Sequence, residues 1–277
     1  MLLSMLDKIK KSVVFIGRID EDRTDGVRRE KICATGFLVR IAGTAYLVTA
    51  RHVIFRKVEG GGLEEKDEDL CAFLNLKIGR PIATPFKNIK KTGARWICHD
   101  DPSIDIAIIP FALGNEYDAV CIEINMSEKM DNLVELDEVI YLSYQSELTR
   151  VSSDNQVSPI VRSGRIARKN HDESFIIDGF TFPGNSGSPV FSVRQSKKTT
   201  RHNSLDLRMF YFVGLICGSL PYEELAISPQ TGDVRVIFQE NTGLSKVGAV
   251  EQFKKIIRSP DFLKQFGDIK KGKIKLL

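Results

Sequence analysis

The stretch FPGNSGSPVF (182–191) decides the reading of this chain, because it joins a glycine-rich turn to an apolar strand through one serine, Ser186. Gly184 can take the positive φ that lets the backbone N–H groups of Gly184 and Ser186 converge on one point. Two such donors form an oxyanion hole, and each donor is worth about 3–4 kcal/mol in acyl transfer. The same residues also suit an ordinary glycine-rich hairpin, so the segments around them have to discriminate.

Outward from this turn, short runs rich in Val, Ile, Phe and Tyr recur between turn residues. Before it come SVVFIGR (12–18), ATGFLVRI (34–41), TAYLVTA (44–50), LCAFLNL (70–76), RWICH (95–99) and IDIAIIPF (104–111). DEVIYLSY (137–144), SPIVRSGRIAR (158–168) and ESFIIDGF (173–180) follow, and after the turn lie RMFYFVGLICGS (208–219) and DVRVIFQE (233–240). About a dozen short strands with little helix between them predict an all-β antiparallel body rather than βαβ units. Only VEQFKKIIRS (250–259) and PDFLKQF (260–266) carry helical spacing. The polar segments 19–31, 56–69 and 194–206 read as solvated hairpin connections or as borders of a cleft. The strand pattern lapses between 112 and 136, where a boundary between two lobes is expected.

At 277 residues with 42% hydrophobic and 27% charged content, the chain suits one large β domain or two small ones. Lys+Arg 40 against Asp+Glu 36 leaves +4, concentrated in a tail with Lys270, Lys271, Lys273 and Lys275. That tail reads as a solvated terminus, so no specific nucleic-acid partner is expected. No run approaches the roughly 20 apolar residues needed to span a bilayer, and the short apolar opening MLLSML fails as a signal segment, so no membrane is expected. Cys33, Cys71, Cys98, Cys121 and Cys217 are odd in number and unpaired in spacing, which argues against a disulfide framework and a zinc site. A reduced, cytoplasmic setting is expected, with no metal or cofactor.

Two further motifs sharpen the serine turn. AYLVTARHVI (45–54) ends an apolar strand at Thr-Ala and places His52 where the strand stops, as a general base open to a cleft requires. PSIDIAIIPF (102–111) sets Asp105 at the head of an apolar run, where a carboxylate is costly unless a cationic or hydrogen-bonding group meets it. Asp105 also fits an edge-strand carboxylate facing water, and Asp100 and Asp101 are nearby competitors. His99, His171 and His202 sit in polar surroundings and read as surface residues. The order His, Asp, Ser is that of chymotrypsin, not of subtilisin or the α/β-hydrolases.

TARHV, DIAI and GNSGSP resemble the three active-site blocks of trypsin-like (chymotrypsin-fold) serine peptidases, especially disulfide-free bacterial HtrA-like domains without a PDZ domain. The likeness runs from about Val13 to Ile257. It implies two antiparallel six-stranded β-barrels closed by a C-terminal α-helix. Within a single domain over 1–277, it puts an N-terminal barrel with His52 and Asp105 at 12–115 and a C-terminal barrel with Ser186 at 136–249. The helix and basic tail follow at 250–277. It implies a serine endopeptidase acting on a polypeptide substrate through a His52–Asp105–Ser186 triad, with the Gly184 and Ser186 N–H groups as oxyanion hole.

It also puts Phe180 on the floor of the primary substrate pocket, with Cys217, Gly218 and Ser219 beside it. A phenylalanine there favours a small or medium apolar side chain, while nearby Asp178 keeps a basic preference open. Asn185, where secreted relatives have Asp, cannot pair with a newly cut N-terminus, so zymogen activation is not expected. Ser188 replaces a usual glycine. Alternatives are a catalytically silent binding module, an esterase on the same triad, or an enzyme kept latent until a regulatory protein partner binds.

Overall fold

The computed structural model describes residues 4–21, 28–60, 62–66, 69–145, 156–200 and 203–276. Two large sheets and a set of short flanking helices make up most of the regular structure. In the first sheet the strand order is Ile82–Pro85, Cys71–Leu74, Val13–Glu21, Arg28–Ile41, Thr44–Thr49, Ala107–Pro110 and Ile97–Cys98, all antiparallel. A short strand, Ile122–Glu123, adds to Arg28–Ile41 in parallel. The second sheet is a closed barrel of Glu138–Ser143, Ile160–Lys169, Ser174–Asp178, Val234–Ala249, Asn203–Ile227 and Pro189–Thr200.

The expectation of two six-stranded barrels is therefore half corrected: the second sheet closes and the first does not. The edge strands Ile82–Pro85 and Ile97–Cys98 do not pair, and the helix Phe86–Lys91 lies between them in sequence. Phe86 and Ile89 are buried in the same apolar cluster as Trp96, whose ring meets Phe86 edge-on at 5.1 Å. Apolar side chains fill the gap that strand pairing would otherwise close.

Strand alternation sorts the core into three parts. In the first sheet Val14, Ile16, Leu38, Leu47, Ala107 and Ile109 point into its own interior. Their neighbours Phe15, Phe37, Val39, Val48, Ile106 and Ile108 point the other way, into a central layer. Val139, Tyr141, Val190 and Val213 fill the barrel, while Ile140, Leu142, Phe191 and Phe212 join the central layer. Phe212 is the hinge of that layer, with ring contacts to Phe37 at 5.2 Å, Phe191 at 6.1 Å and Phe253 at 6.3 Å.

The C-terminus forms two helices, Val250–Ile256 and Pro260–Lys270, on the two segments with helical spacing; the second takes in Lys270, which a single closing helix would have left in the basic tail. Ser259 caps the second, with Pro260 at its start, and the helix docks on the first sheet. Gln265 accepts from the Arg95 N–H (2.6 Å) and donates to the Arg95 carbonyl (3.0 Å), and Phe262 packs on Tyr46.

Of the three expected loops, 56–69 contains a small hairpin of Phe55–Lys57 with Leu63–Glu65. The strands flanking 19–31 run to Glu21 and from Arg28, and residues 22–27 lie outside the described residues. In 194–206, strand pairing continues as far as Thr200 with Asn203. This ribbon outruns the barrel: beyond Ser192, Pro189–Thr200 pairs only with Asn203–Ile227 among the described residues. The chain also has a short helix that sequence spacing did not reveal, Met5–Lys10, capped by Ser4 and Asp7.

Replacing Phe212 by alanine should leave a cavity where both sheets and the first C-terminal helix meet. A loss of about 3–5 kcal/mol is expected, read as a lower midpoint in urea unfolding.

Candidate active site

The two sheets meet at a cleft, and each carries part of a hydrogen-bonded chain. The strand Thr44–Thr49 ends at Ala50, and the next residues form the single helical turn Arg51–Ile54. That turn lifts His52 off the sheet edge. Asp105 stands two residues before the neighbouring strand Ala107–Pro110, whose Ala107 pairs with Thr49. The backbone ties the two together, the Arg51 N–H donating to the Asp105 carbonyl at 3.2 Å.

Asp105 then meets His52 twice: Oδ1 accepts the His52 backbone N–H at 2.9 Å, and Oδ2 lies 2.6 Å from Nδ1 of the ring. The other ring nitrogen, Nε2, is 2.9 Å from Ser186 Oγ. Carboxylate, imidazole and hydroxyl thus form one continuous chain across the two sheets. The His52 side chain is 46% exposed and Asp105 23%, so the carboxylate is sheltered while the ring is open to the cleft.

The competing carboxylate Asp101 is engaged elsewhere. It accepts the Ser103 N–H at 2.8 Å, and bonds from Ser103 hold its carboxyl below the usual carboxylate range. The Asp101 N–H in turn donates to His99. His171 is exposed, and His202 lies outside the described residues.

The serine turn is held from three sides. Gly184 has φ +99, and an added Cβ would meet the Tyr144 carbonyl at 2.7 Å. Asn185 is fully buried; its Oδ1 accepts the Phe182 N–H at 2.9 Å and its Nδ2 donates to the Tyr144 carbonyl at 3.3 Å. On the barrel side, the Gly187 N–H donates to the Ile216 carbonyl and the Ile216 N–H to that of Ser188. Ser188 is buried, and its hydroxyl has no partner among the described residues.

The third side is the first sheet, where sequence reading saw only a strand residue in Thr35. The Thr35 N–H donates to the Ser186 carbonyl at 3.0 Å. Its hydroxyl donates to the Gly184 carbonyl at 2.7 Å and accepts the Tyr144 N–H at 2.9 Å. Its carbonyl accepts the Thr49 hydroxyl at 2.8 Å. Gly187, at φ +85, sits so close that a Cβ would fall 2.2 Å from the Thr35 carbonyl oxygen. By contrast, the N–H groups of Gly184 and Ser186 donate to no protein acceptor among the described residues.

The cleft beside Ser186 encloses about 520 Å³ and is lined by His52, Thr181, Cys217, Gly218, Ser219 and Asn241, with other residues around them. Of the residues expected around a substrate pocket, Cys217, Gly218 and Ser219 line this cleft. Cys217 also reaches back towards the Asp105 carbonyl, its Sγ 4.0 Å away; burial pushes its thiol up to about 12 and keeps it protonated.

Phe180 does not line the cleft. It is 52% exposed, stacked on Phe182 and beside Gly243. Tyr141 donates to its carbonyl at 2.5 Å, and the next residue, Thr181, turns inward to Ser245 at 2.8 Å. A small hydroxyl residue between two aromatics was the sequence signal for this alternation. Asp178 is exposed and also outside the lining, where the carboxylate among the described residues is that of Glu240.

The family description "Trypsin-like peptidase domain" matches residues 34–197. Solved structures that match include the serine endoprotease from Yersinia pestis, at 14% identity and TM-score 0.47, over 91% of this chain and 63% of that one. The chain thus spans less than two thirds of the Yersinia chain. Another, from a study of aromatic interactions in folding and binding of the Sesbania mosaic virus VPg protein, has 14% identity and TM-score 0.41 and covers 90% of each chain. No curated protein matches.

Replacing Thr35 by valine keeps its volume but strands the Tyr144 N–H and the Gly184 carbonyl. A loss of about 1–3 kcal/mol is expected in urea unfolding, together with slower reaction of Ser186 with a fluorophosphonate. Thr35→Ser, which restores the hydroxyl, should recover both.

Proposed function

The chain belongs to the trypsin-like peptidase family, and we propose that it is a serine endopeptidase whose triad is His52, Asp105 and Ser186. The observation that carries this reading is the unbroken run of hydrogen bonds from the Asp105 carboxylate through His52 to the Ser186 hydroxyl.

In this mechanism Ser186 Oγ attacks the scissile carbonyl while His52 Nε2 takes its proton. Asp105 fixes the ring tautomer, with the proton on Nδ1, and stabilises the imidazolium that forms. The second contact from Asp105, to the His52 backbone, holds the ring base as well as its edge. The tetrahedral oxyanion is received by the N–H groups of Gly184 and Ser186, whose lack of a protein acceptor among the described residues supports that role. His52 then protonates the leaving amine, and water hydrolyses the acyl-enzyme by the same steps in reverse. The chemistry as drawn uses side chains and backbone of this chain alone.

Asn185 supports a turn that is already set. Where an aspartate would await a cationic partner, its neutral amide is satisfied at both ends by Phe182 and Tyr144. Cleavage at the N-terminus has no role in this reading.

Intact-mass analysis after fluorophosphonate treatment tests the proposal. One adduct is expected on wild type and none on Ser186→Ala, and His52→Ala should slow labelling at least about a thousandfold. Absence of labelling on wild type favours a silent binding module; labelling without cleavage of any peptide library favours an esterase.

A further inference from the structure

Beyond the barrel, the strands Asn203–Ile227 and Val234–Ala249 continue together as a two-stranded arm, paired from Pro221 with Asn241 to Ile227 with Val234. Neither strand has a second partner there among the described residues. The arm's large apolar side chains are open to solvent: Tyr222, Leu225, Ile227, Val234, Ile237 and Phe238 are each between 48% and 56% exposed. A lone hairpin in water is marginal, and clustered exposed apolar side chains mark an interaction surface.

The register shows where this surface leads. Glu223 opposite Gln239 and Leu225 opposite Ile237 lie on one face with Pro221 and Asn241, and Pro221, Gln239 and Asn241 line the cleft beside Ser186. One face of the arm is therefore the outward continuation of the cleft wall, turning apolar at Leu225 and Ile237. Its charge narrows the occupant. From 221 to 241 the arm holds Glu223, Glu224, Asp233 and Glu240 against Arg235 alone, on a chain whose net charge is +4. Like charge opposes pairing of two arms from two copies.

We propose that the arm is a docking surface for the substrate, an extended polypeptide segment rich in apolar side chains and carrying positive charge, held outside the cleft while the scissile bond lies at Ser186. This rests on the endopeptidase reading and deepens it. The apolar side chains pack on Leu225 and Ile237, the basic ones meet Glu223 on the same face and Glu240 where it lines the cleft, and the unpaired strand edges offer backbone hydrogen bonds.

Fluorescence anisotropy tests it with fluorescein-labelled peptides of alternating valine and lysine, valine and glutamate, or serine and lysine. The protein is the full chain carrying Ser186→Ala, so binding is read without cleavage. Valine–lysine peptide should bind tightest, and the added pair Leu225→Thr and Ile237→Thr should weaken it about tenfold. Threonine keeps strand propensity, and the same pair in the wild-type background should leave fluorophosphonate labelling of Ser186 unchanged, which shows that the fold is intact. Equal binding with and without the threonines overturns the proposal, as does equal binding of all three peptides. A shift from dimer to monomer on introducing the threonines, read by sedimentation velocity, would assign the face to a second copy instead. Failure of wild type to label at Ser186 sinks the endopeptidase reading, whereas the anisotropy comparison is made without any turnover and judges the arm separately.

Discussion

Ser186 is carried by the barrel and His52 by the open sheet, and hydrogen-bond distances between them demand that two bodies sharing no strand be fixed to within a few tenths of an ångström. Thr35 does this. Its N–H, hydroxyl and carbonyl bind the Ser186 carbonyl, the Gly184 carbonyl, the Tyr144 N–H and the Thr49 hydroxyl. Thr49 in turn ends the strand that delivers His52. One buried residue therefore fixes the serine turn, the segment after Glu138–Ser143 and the histidine strand in a single polar knot. Buried groups of this kind are costly when unpaired, and here every one of the Thr35 groups is used.

The apolar layer supplies the bulk adhesion and the polar knot supplies the position. Phe37, Phe191, Phe212 and Phe253 press the sheets and the first C-terminal helix together, but ring packing alone tolerates small slides. Gly187 makes the fit steric as well, because any side chain there would collide with Thr35 and Thr49. The glycine after Ser186 is thus required by the neighbouring sheet as much as by its own φ of +85.

How much of this was legible in the sequence follows from where each signal lives. Strands that bury both faces or one face announce themselves by composition and alternation, as TAYLVTA and DEVIYLSY do. His52, Asp105 and Ser186 were legible because each stands at a strand end within a local motif. Thr35 was not, since its role consists of bonds to residues about 110 to 150 positions away. The open first sheet was hidden for a similar reason: whether Ile82–Pro85 meets Ile97–Cys98 depends on the packing of Phe86 and Trp96, not on either strand. Phe180 was misplaced because an offset counted from Ser186 fixes a backbone position but not which way the side chain turns. Thr181 takes the inward place there, bonded to Ser245.

The arm is the clearest case of a segment whose sequence looks ordinary and whose setting does not. DVRVIFQE alternates poorly because both of its faces meet solvent, and as a strand inside a barrel it would need no comment. Attached to the barrel at the cleft, it holds apolar side chains about half exposed to water, with no further strand pairing beside it among the described residues. Its acidic groups keep such a ribbon soluble and discourage edge-to-edge association with its own kind. The same two features, apolar faces and a carboxylate surplus, define what it can accept. A surface that resists its own copy while staying open beside Ser186 favours an apolar, basic partner, and it lies well outside the hydrogen-bonded chain of Asp105, His52 and Ser186.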